Sequence, residues 1–262
     1  MRKFDTPSPI STVLDIPVGR VQFIAADRAD TAVEVLPADA SKGRDVKQVE
    51  RTTVEYGDGV LRIVSPAAKN RILGDTGSIE VTVQLPAGSG IEATAASAEF
   101  RGVGQLGDVA FEAAHGSIEL DETAGARLTI QAGDISVGRL GGSAEISTAK
   151  GDIRIAEAVR GRVVLTIQAG DVSVGAANGV SASLDAGTSY GRIHNALNNT
   201  DGAAAQLDIH GPRPTATSPP AACDPAPIQW ARLLRLGVAA AVPAAGAVDP
   251  AVAGEPLHCE LG

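Results

Sequence analysis

The strongest constraint in this chain is a segment that occurs twice. Leu128-Thr-Ile-Gln-Ala-Gly-Asp-Ile-Ser-Val-Gly138 and Leu165-Thr-Ile-Gln-Ala-Gly-Asp-Val-Ser-Val-Gly175 differ at one position. In each copy Leu, Ile and Ala, then Ile or Val, alternate with polar residues, which is the period of a half-buried strand. The Gly-Asp pair between the runs supplies a residue that tolerates positive φ and a carboxylate that can close an Asx-turn. Looser copies lie on either side. Gly116-Ser117-Ile118, Gly133-Asp134-Ile135, Gly151-Asp152-Ile153, Gly170-Asp171-Val172 and Gly191-Arg192-Ile193 follow one another at steps of 17, 18, 19 and 21 residues. Each unit reads as strand, corner, strand, corner, with Gly116, Gly133, Gly151, Gly170 and Gly191 as turn residues. Self-similarity at such a period marks a solenoid whose coils share one core.

A solenoid explains an odd composition. The 262 residues are 44% hydrophobic yet only 3% aromatic, with one Met and 30 Gly. Stacked coils turn each interior position into a column of like residues at a spacing of about 4.8 Å. Ile, Val, Leu and Ala fit such columns, whereas a large ring has to be matched above and below. The net charge of −9 argues against nucleic acid as a partner, since phosphate neutralisation needs clustered basic side chains. Arg160-Gly-Arg162 is the one compact basic spot in the repeats and is too small for that purpose.

Residues 1–87 lack the Gly-Asp marker but contain alternating runs, among them Thr12–Ile16, Arg20–Ile24, Thr52–Tyr56, Val60–Val64 and Ile79–Leu85. Pro17-Val-Gly19 and Gly57-Asp-Gly59 read as turns joining antiparallel hairpins. The expectation is therefore an all-β chain in three parts. An antiparallel β-sandwich-like cap over 1–87 covers the first coil, whose bare end would be an unpaired strand edge. A parallel β-helix-like solenoid with units of about 18 residues follows over 88–210.

The third part, 211–262, reads as an unstructured Pro/Ala-rich tail. It holds nine of the 15 prolines, both cysteines (Cys223 and Cys259) and the only Trp, with no 2.0 or 3.6 period. Read one nucleotide earlier, the codons for Thr215–Cys223 permit Asn-Gly-Asp-Ile-Thr-Ala-Arg-Ser-Leu, another copy of the repeat. A frameshifted end is thus expected, and the coding DNA decides it. With no thiol in the body, no disulfide framework is expected. Met1-Arg2-Lys3-Phe4-Asp5-Thr6-Pro7 has no apolar run behind its basic pair, and Leu236–Val248 is broken by Pro243. Neither reads as a signal peptide or a bilayer span, so a cytoplasmic location is expected.

The opening Phe4-Asp-Thr-Pro7, the segment Leu14–Arg28, the strand Val81–Gly88 and the repeated Gly-Asp-Ile/Val units resemble bacterial β-strand-repeat proteins of unknown function labelled "putative adhesin". The likeness covers about residues 1–210. It implies a β-solenoid, surface binding and no established catalytic site, and it carries no functional residues over to this chain.

Asp134, Asp152 and Asp171 occupy equivalent corners. They read as caps on their own turns; the alternative is a ladder of Ca²⁺ ligands, although the calcium-binding solenoid repeat has a period of nine rather than about 18. Glu99, Glu112, Glu119, Asp121, Glu122, Glu145 and Glu157 are scattered and read as an acidic solvated face rather than a paired glycosidase site. His115, His194 and His210 lie on separate units without ligand spacing. No nucleophile elbow, Walker loop or dinucleotide fingerprint occurs, Gly138-Arg-Leu-Gly-Gly142 being a corner followed by a strand. The function expected is a non-enzymatic scaffold without cofactor, presenting an acidic repetitive surface to a protein or polysaccharide. End-to-end self-association is the first alternative and a carbohydrate-active enzyme the second.

Overall fold

The computed structural model describes residues 1–66 and 77–177, and beyond them the backbone of four short strands. The described residues are all-β apart from one helix. The strands are β1 (Arg2–Asp5), β2 (Ser11–Ala26), β3 (Asp30–Pro37), then helix α1 (Gly43–Arg51), β4 (Thr53–Gly57), β5 (Val60–Val64) and β6 (Ile79–Pro86). β7 (Gly90–Ala132) follows, then β8 (Ile135–Leu140), β9 (Ala144–Lys150), β10 (Ile153–Ala158) and β11 (Gly161–Ala176).

From Gly90 to Ala176 the chain winds as coils stacked in parallel. Ile118–Leu120 of β7 lies on Ile135–Val137 of β8, which lies on Ile153–Ile155 of β10 and then on Val172–Val174 of β11. On the neighbouring side Ala126–Ile130 lies on Ala144–Thr148 of β9, which lies on Val163–Ile167. Alternate residues point inward, so Ile118, Ile135, Ile153 and Val172 form one buried column and Leu128, Ile146 and Leu165 another. Burying each such side chain contributes about 1.5–3 kcal/mol.

Rings enter only where neighbours make room. Phe23 and Phe100 lie with centroids 5.5 Å apart, and Phe100 and Phe111 4.8 Å apart. Phe23 is in register with Gly102, where a Cβ would stand 2.6 Å from both Leu106 Cδ1 and Leu120 Cδ2. The space a side chain at this inward glycine would take is filled by Leu106 and Leu120.

The expected antiparallel cap holds only for its outer strands. β2 is itself a coil: Ser11–Ile16 runs parallel to Gly90–Ala95, and Val18–Ile24 runs parallel to Ser97–Val103. On its other edge β2 pairs in parallel with β5 and β6. The coil made by residues later in the chain therefore sits outside the coil made by earlier ones. Pro17-Val-Gly19 is not a hairpin but a bend within β2, where a Cβ on Gly19 would stand 2.2 Å from the Ile79 carbonyl oxygen. Gly57-Asp-Gly59 does close a hairpin, between β4 and β5, with Asp58 at φ 52°. Chain-local turn residues cannot report that β2 takes its partners from sequence-distant strands.

β4 covers β5, β3 covers β6 and β1 covers β3, all antiparallel. The two covering layers meet, with Phe4 and Tyr56 ring centroids 5.3 Å apart and Arg2 Nη1 donating to the Val54 carbonyl oxygen at 2.6 Å. Helix α1 fastens this end. Buried Asp45 accepts from the Ser78 backbone N–H at 3.0 Å, while Gln48 Nε2 donates to Ser65 Oγ and to the Pro66 carbonyl oxygen, both at 2.8 Å.

At the other end, strands β12 (Ala182–Asp185), β13 (Arg192–Asn195), β14 (Leu207–His210) and β15 (Leu234–Val238) continue the sheet. β14 runs parallel to Gly161–Val164, and β15 runs antiparallel to Gly170–Val174. β15 lies within the stretch expected to be unstructured. The rest of 211–262, including the segment read as frameshifted, is outside the described residues.

Candidate binding surface

Two corners of each coil are built on glycine, and they differ. At the first, Gly116, Gly133, Gly151 and Gly170 stack in one column with φ between 133° and 143°. A Cβ on Gly133 would stand 1.6 Å from the Gly116 carbonyl oxygen, and one on Gly151 2.0 Å from that of Gly133. Only glycine allows backbones to approach so closely with that φ. Gly191 lies outside the described residues.

Beside this column run the exposed residues Asp134, Asp152 and Asp171. Each carboxylate was expected to cap its own turn. Instead Asp134 Oδ1 accepts from the Asp152 N–H at 2.8 Å, and Asp152 Oδ1 accepts from the Asp171 N–H at 2.9 Å. Asp134 and Asp152 therefore each satisfy a donor one coil onward. The stacking of the coils in parallel register places the next coil's N–H within reach of the carboxylate. Among the described residues no group of three His, Cys, Asp or Glu side chains is placed to hold a metal ion.

At the second corner Gly88, Gly107, Gly125, Gly142 and Gly161 recur. A Cβ on Gly107 would stand 2.5 Å from the Gly88 carbonyl oxygen, and one on Gly142 2.6 Å from that of Ala124. Here no row of carboxylates folds back over the backbone. The bare corner leaves a groove of about 1020 Å³ that runs across the coils from Pro9 to Val164. Glycines and Ala110, Ala124, Ala126 and Ala144 line it, with Glu92, Asp108, Arg127, Glu145 and Arg162 among them. Asp108 folds onto the floor, its Oδ1 standing 2.6 Å from where a Cβ on Gly125 would be. One coil further on, Ser143 Oγ accepts from the Arg162 N–H at 3.2 Å. Buried Thr123 supports the corner from inside by donating to the Gly107 or the Gly125 carbonyl oxygen, at 2.7 and 2.8 Å.

The acids expected to form a solvated acidic face are largely accompanied by arginines. Arg20 reaches Glu80 at 2.9 Å and Glu99 at 2.8 Å, Arg101 pairs with Glu119, and Arg139 stands between Glu122 and Glu157 at 3.9 and 3.8 Å. The hydrogen bond to Glu99, with the charges of Glu99 and Glu80, raises the Arg20 guanidinium above its ordinary value. Pairs this exposed are screened by solvent and add little to stability. They link side chains on neighbouring strands of the stack. Asp121 Oδ2 accepts from the Gly104 N–H at 3.2 Å, while Glu112 and His115 are exposed. His194 and His210 fall on strands described by backbone alone.

No helix among the described residues is long and apolar enough to cross a membrane. Stacked parallel coils turned at glycine columns define a β-solenoid-like protein. Residues 14–212 match the Toastrack DUF4097 family, and the chain belongs to it. Among solved structures, a putative adhesin from Parabacteroides distasonis is 18% identical, with 81% of this chain and 93% of that one covered at a TM-score of 0.43. A putative adhesin from Bacteroides fragilis is 13% identical, covering 81% and 92% at a TM-score of 0.36. A putative lipid binding protein from Parabacteroides distasonis is 11% identical, covering 81% and 93% at a TM-score of 0.36. No curated protein matches the chain.

Proposed function

We propose that this chain is a non-enzymatic scaffold that binds a macromolecular partner along its coils, with a protein favoured over a polysaccharide. The observation that carries the reading is the open groove at the second glycine corner, lined by glycine and alanine, where a Cβ on Gly107 would stand 2.5 Å from a backbone oxygen. A long, shallow, preformed channel suits a linear partner laid across the strands. Sugar rings are held by stacking on aromatic faces, and none of the groove's lining residues is aromatic. Phe23, Phe100 and Phe111 are buried, and Phe4 and Tyr56 face each other. The acidic surface expected along the repeats is narrowed in this reading to the Asp134–Asp152–Asp171 edge and to Glu92 and Asp108, since Glu145, the third acid of the groove, pairs with Arg127.

The test is binding of defined probes to the immobilised chain: polygalacturonate, a neutral glucan and an unstructured polypeptide of mixed charge. The polypeptide should bind, with neither glycan cleaved. Release of new reducing ends that is lost on changing one Asp or Glu would overturn the reading in favour of an enzyme. End-to-end stacking is disfavoured at the N-terminal end because Arg2 Nη1 already holds the Val54 carbonyl oxygen of edge strand β4.

A further inference from the structure

The charges of the groove are ordered along its length. Glu92 and Asp108 stand at the end nearest β2, Arg127 and Glu145 face each other in mid-groove at 3.6 Å, and Arg162 stands at the far end. Among the described residues the side chains of Glu92, Asp108 and Arg162 make no ion pair. The pairing in the middle cancels one charge of each sign. What remains is negative at one end and positive at the other.

Register fixes the separation. Gly125, Ser143 and Arg162 lie on successive coils beyond Asp108, since Ala126 pairs with Ala144 and Ala144 with Val163. Three strand spacings separate Asp108 from Arg162, or about 14 Å, and four separate Glu92 from the same coil, or about 19 Å. An extended polypeptide advances about 3.3 Å per residue, so four to six residues bridge the two ends.

The geometry points to an extended peptide as the ligand of this groove, lying across the coils with a basic end over Glu92 and Asp108 and an acidic end at Arg162. The inference rests on the scaffold reading above and specifies the partner's charge order. A polyuronate carries one sign throughout and meets repulsion at Glu92 and Asp108 wherever it gains at Arg162. A peptide with opposite charges a few residues apart meets no such conflict.

Fluorescence anisotropy on the full chain tests this with labelled octapeptides of equal composition, Lys-Lys-Ser-Ala-Ser-Ala-Glu-Glu against Lys-Glu-Ser-Ala-Ser-Ala-Lys-Glu. Exposed pairs give a few-fold in affinity each, so the segregated peptide should bind about tenfold more tightly, and the gap should close at high salt. Arg162→Glu should erase that preference and favour an all-Lys peptide. Combining it with Glu92→Lys and Asp108→Lys should restore the preference, since the peptide can then lie the other way round. Ala110→Trp, which obstructs the groove without touching a charge, should abolish binding of both peptides. Equal binding of the two peptides, or indifference to Arg162→Glu, overturns the inference. If the long mixed-charge polypeptide still binds the Arg162→Glu and Ala110→Trp chains, the scaffold reading survives while the groove assignment fails.

Discussion

The two glycine corners of each coil solve one steric problem with opposite chemical consequences. At both, neighbouring backbones come closer than a Cβ allows. At the Gly116–Gly133–Gly151–Gly170 corner the adjacent aspartates turn inward along the stack and occupy the next coil's N–H groups. At the Gly107–Gly125–Gly142–Gly161 corner the polar groups left over are side chains of different sign on different coils, and they face an open groove. The first corner uses its hydrogen-bonding capacity to hold the solenoid together. The second leaves charge available to something outside it.

Glycine substitution separates the stacked column of the first corner from the uncrowded glycine beside the second most sharply. Gly133→Ala places a Cβ 1.6 Å from a backbone oxygen at φ 143°, where nothing flexible can yield. It should cost at least about 3 kcal/mol in urea unfolding, or prevent folding. Gly141→Ala, by contrast, meets its nearest atom at 3.5 Å with no positive φ, and should lie within about 0.5 kcal/mol of the parent. A severe loss at Gly141 would mean that its backbone lies closer to the Thr123–Ala124 segment of the preceding coil than 3.5 Å.

Thr123 offers a smaller effect. Its buried hydroxyl donates toward the carbonyl oxygens of Gly107 and Gly125, and Thr123→Val leaves both without that donor. A cost of about 1–3 kcal/mol in the same unfolding experiment is expected. A neutral result would show that water takes over the role.

Acid titration sharpens the comparison by acting away from both corners. The hydroxyl and N–H of Ser41, with Lys42, hold the Asp39 carboxyl down to about 2. Its folded value is below its unfolded one, so its contribution is fully present above about pH 4 and is lost as pH falls through 2. Chemical shifts of Ser41 and Lys42 followed from pH 5 to 2 should move late, near pH 2. A midpoint near 4 would show that the cluster ahead of α1 is not formed.

Much of the solenoid was legible because repetition is local information. The copies at 128–138 and 165–175 fixed strand, corner and period, and the scarcity of rings agreed with narrow coils. The order of the first coils was not legible. β2 takes β5 and β6 on one edge and β7 on the other, and nothing near Pro17 or Gly19 records those distant partners. The Gly-Asp motif located the aspartate ladder but not its direction, since a carboxylate beside a turn can reach a donor in its own coil or the next. The groove escaped detection because its residues come from separate coils, each unremarkable alone. Arg160-Gly-Arg162 was the one visible trace, noted only as too small for nucleic acid.

The coil-to-coil hydrogen bond from the Asp152 amide to Asp134 permits the most direct check on how this chain is built. Residue-resolved hydrogen exchange should find the amides of Asp152 and Asp171 protected despite their exposed corner, and Asp134→Ala should release Asp152 while leaving Asp171 slow. Rapid exchange at both amides in the unaltered chain, or no response of Asp152 to a change 18 residues away, would show that the coils do not lie over one another.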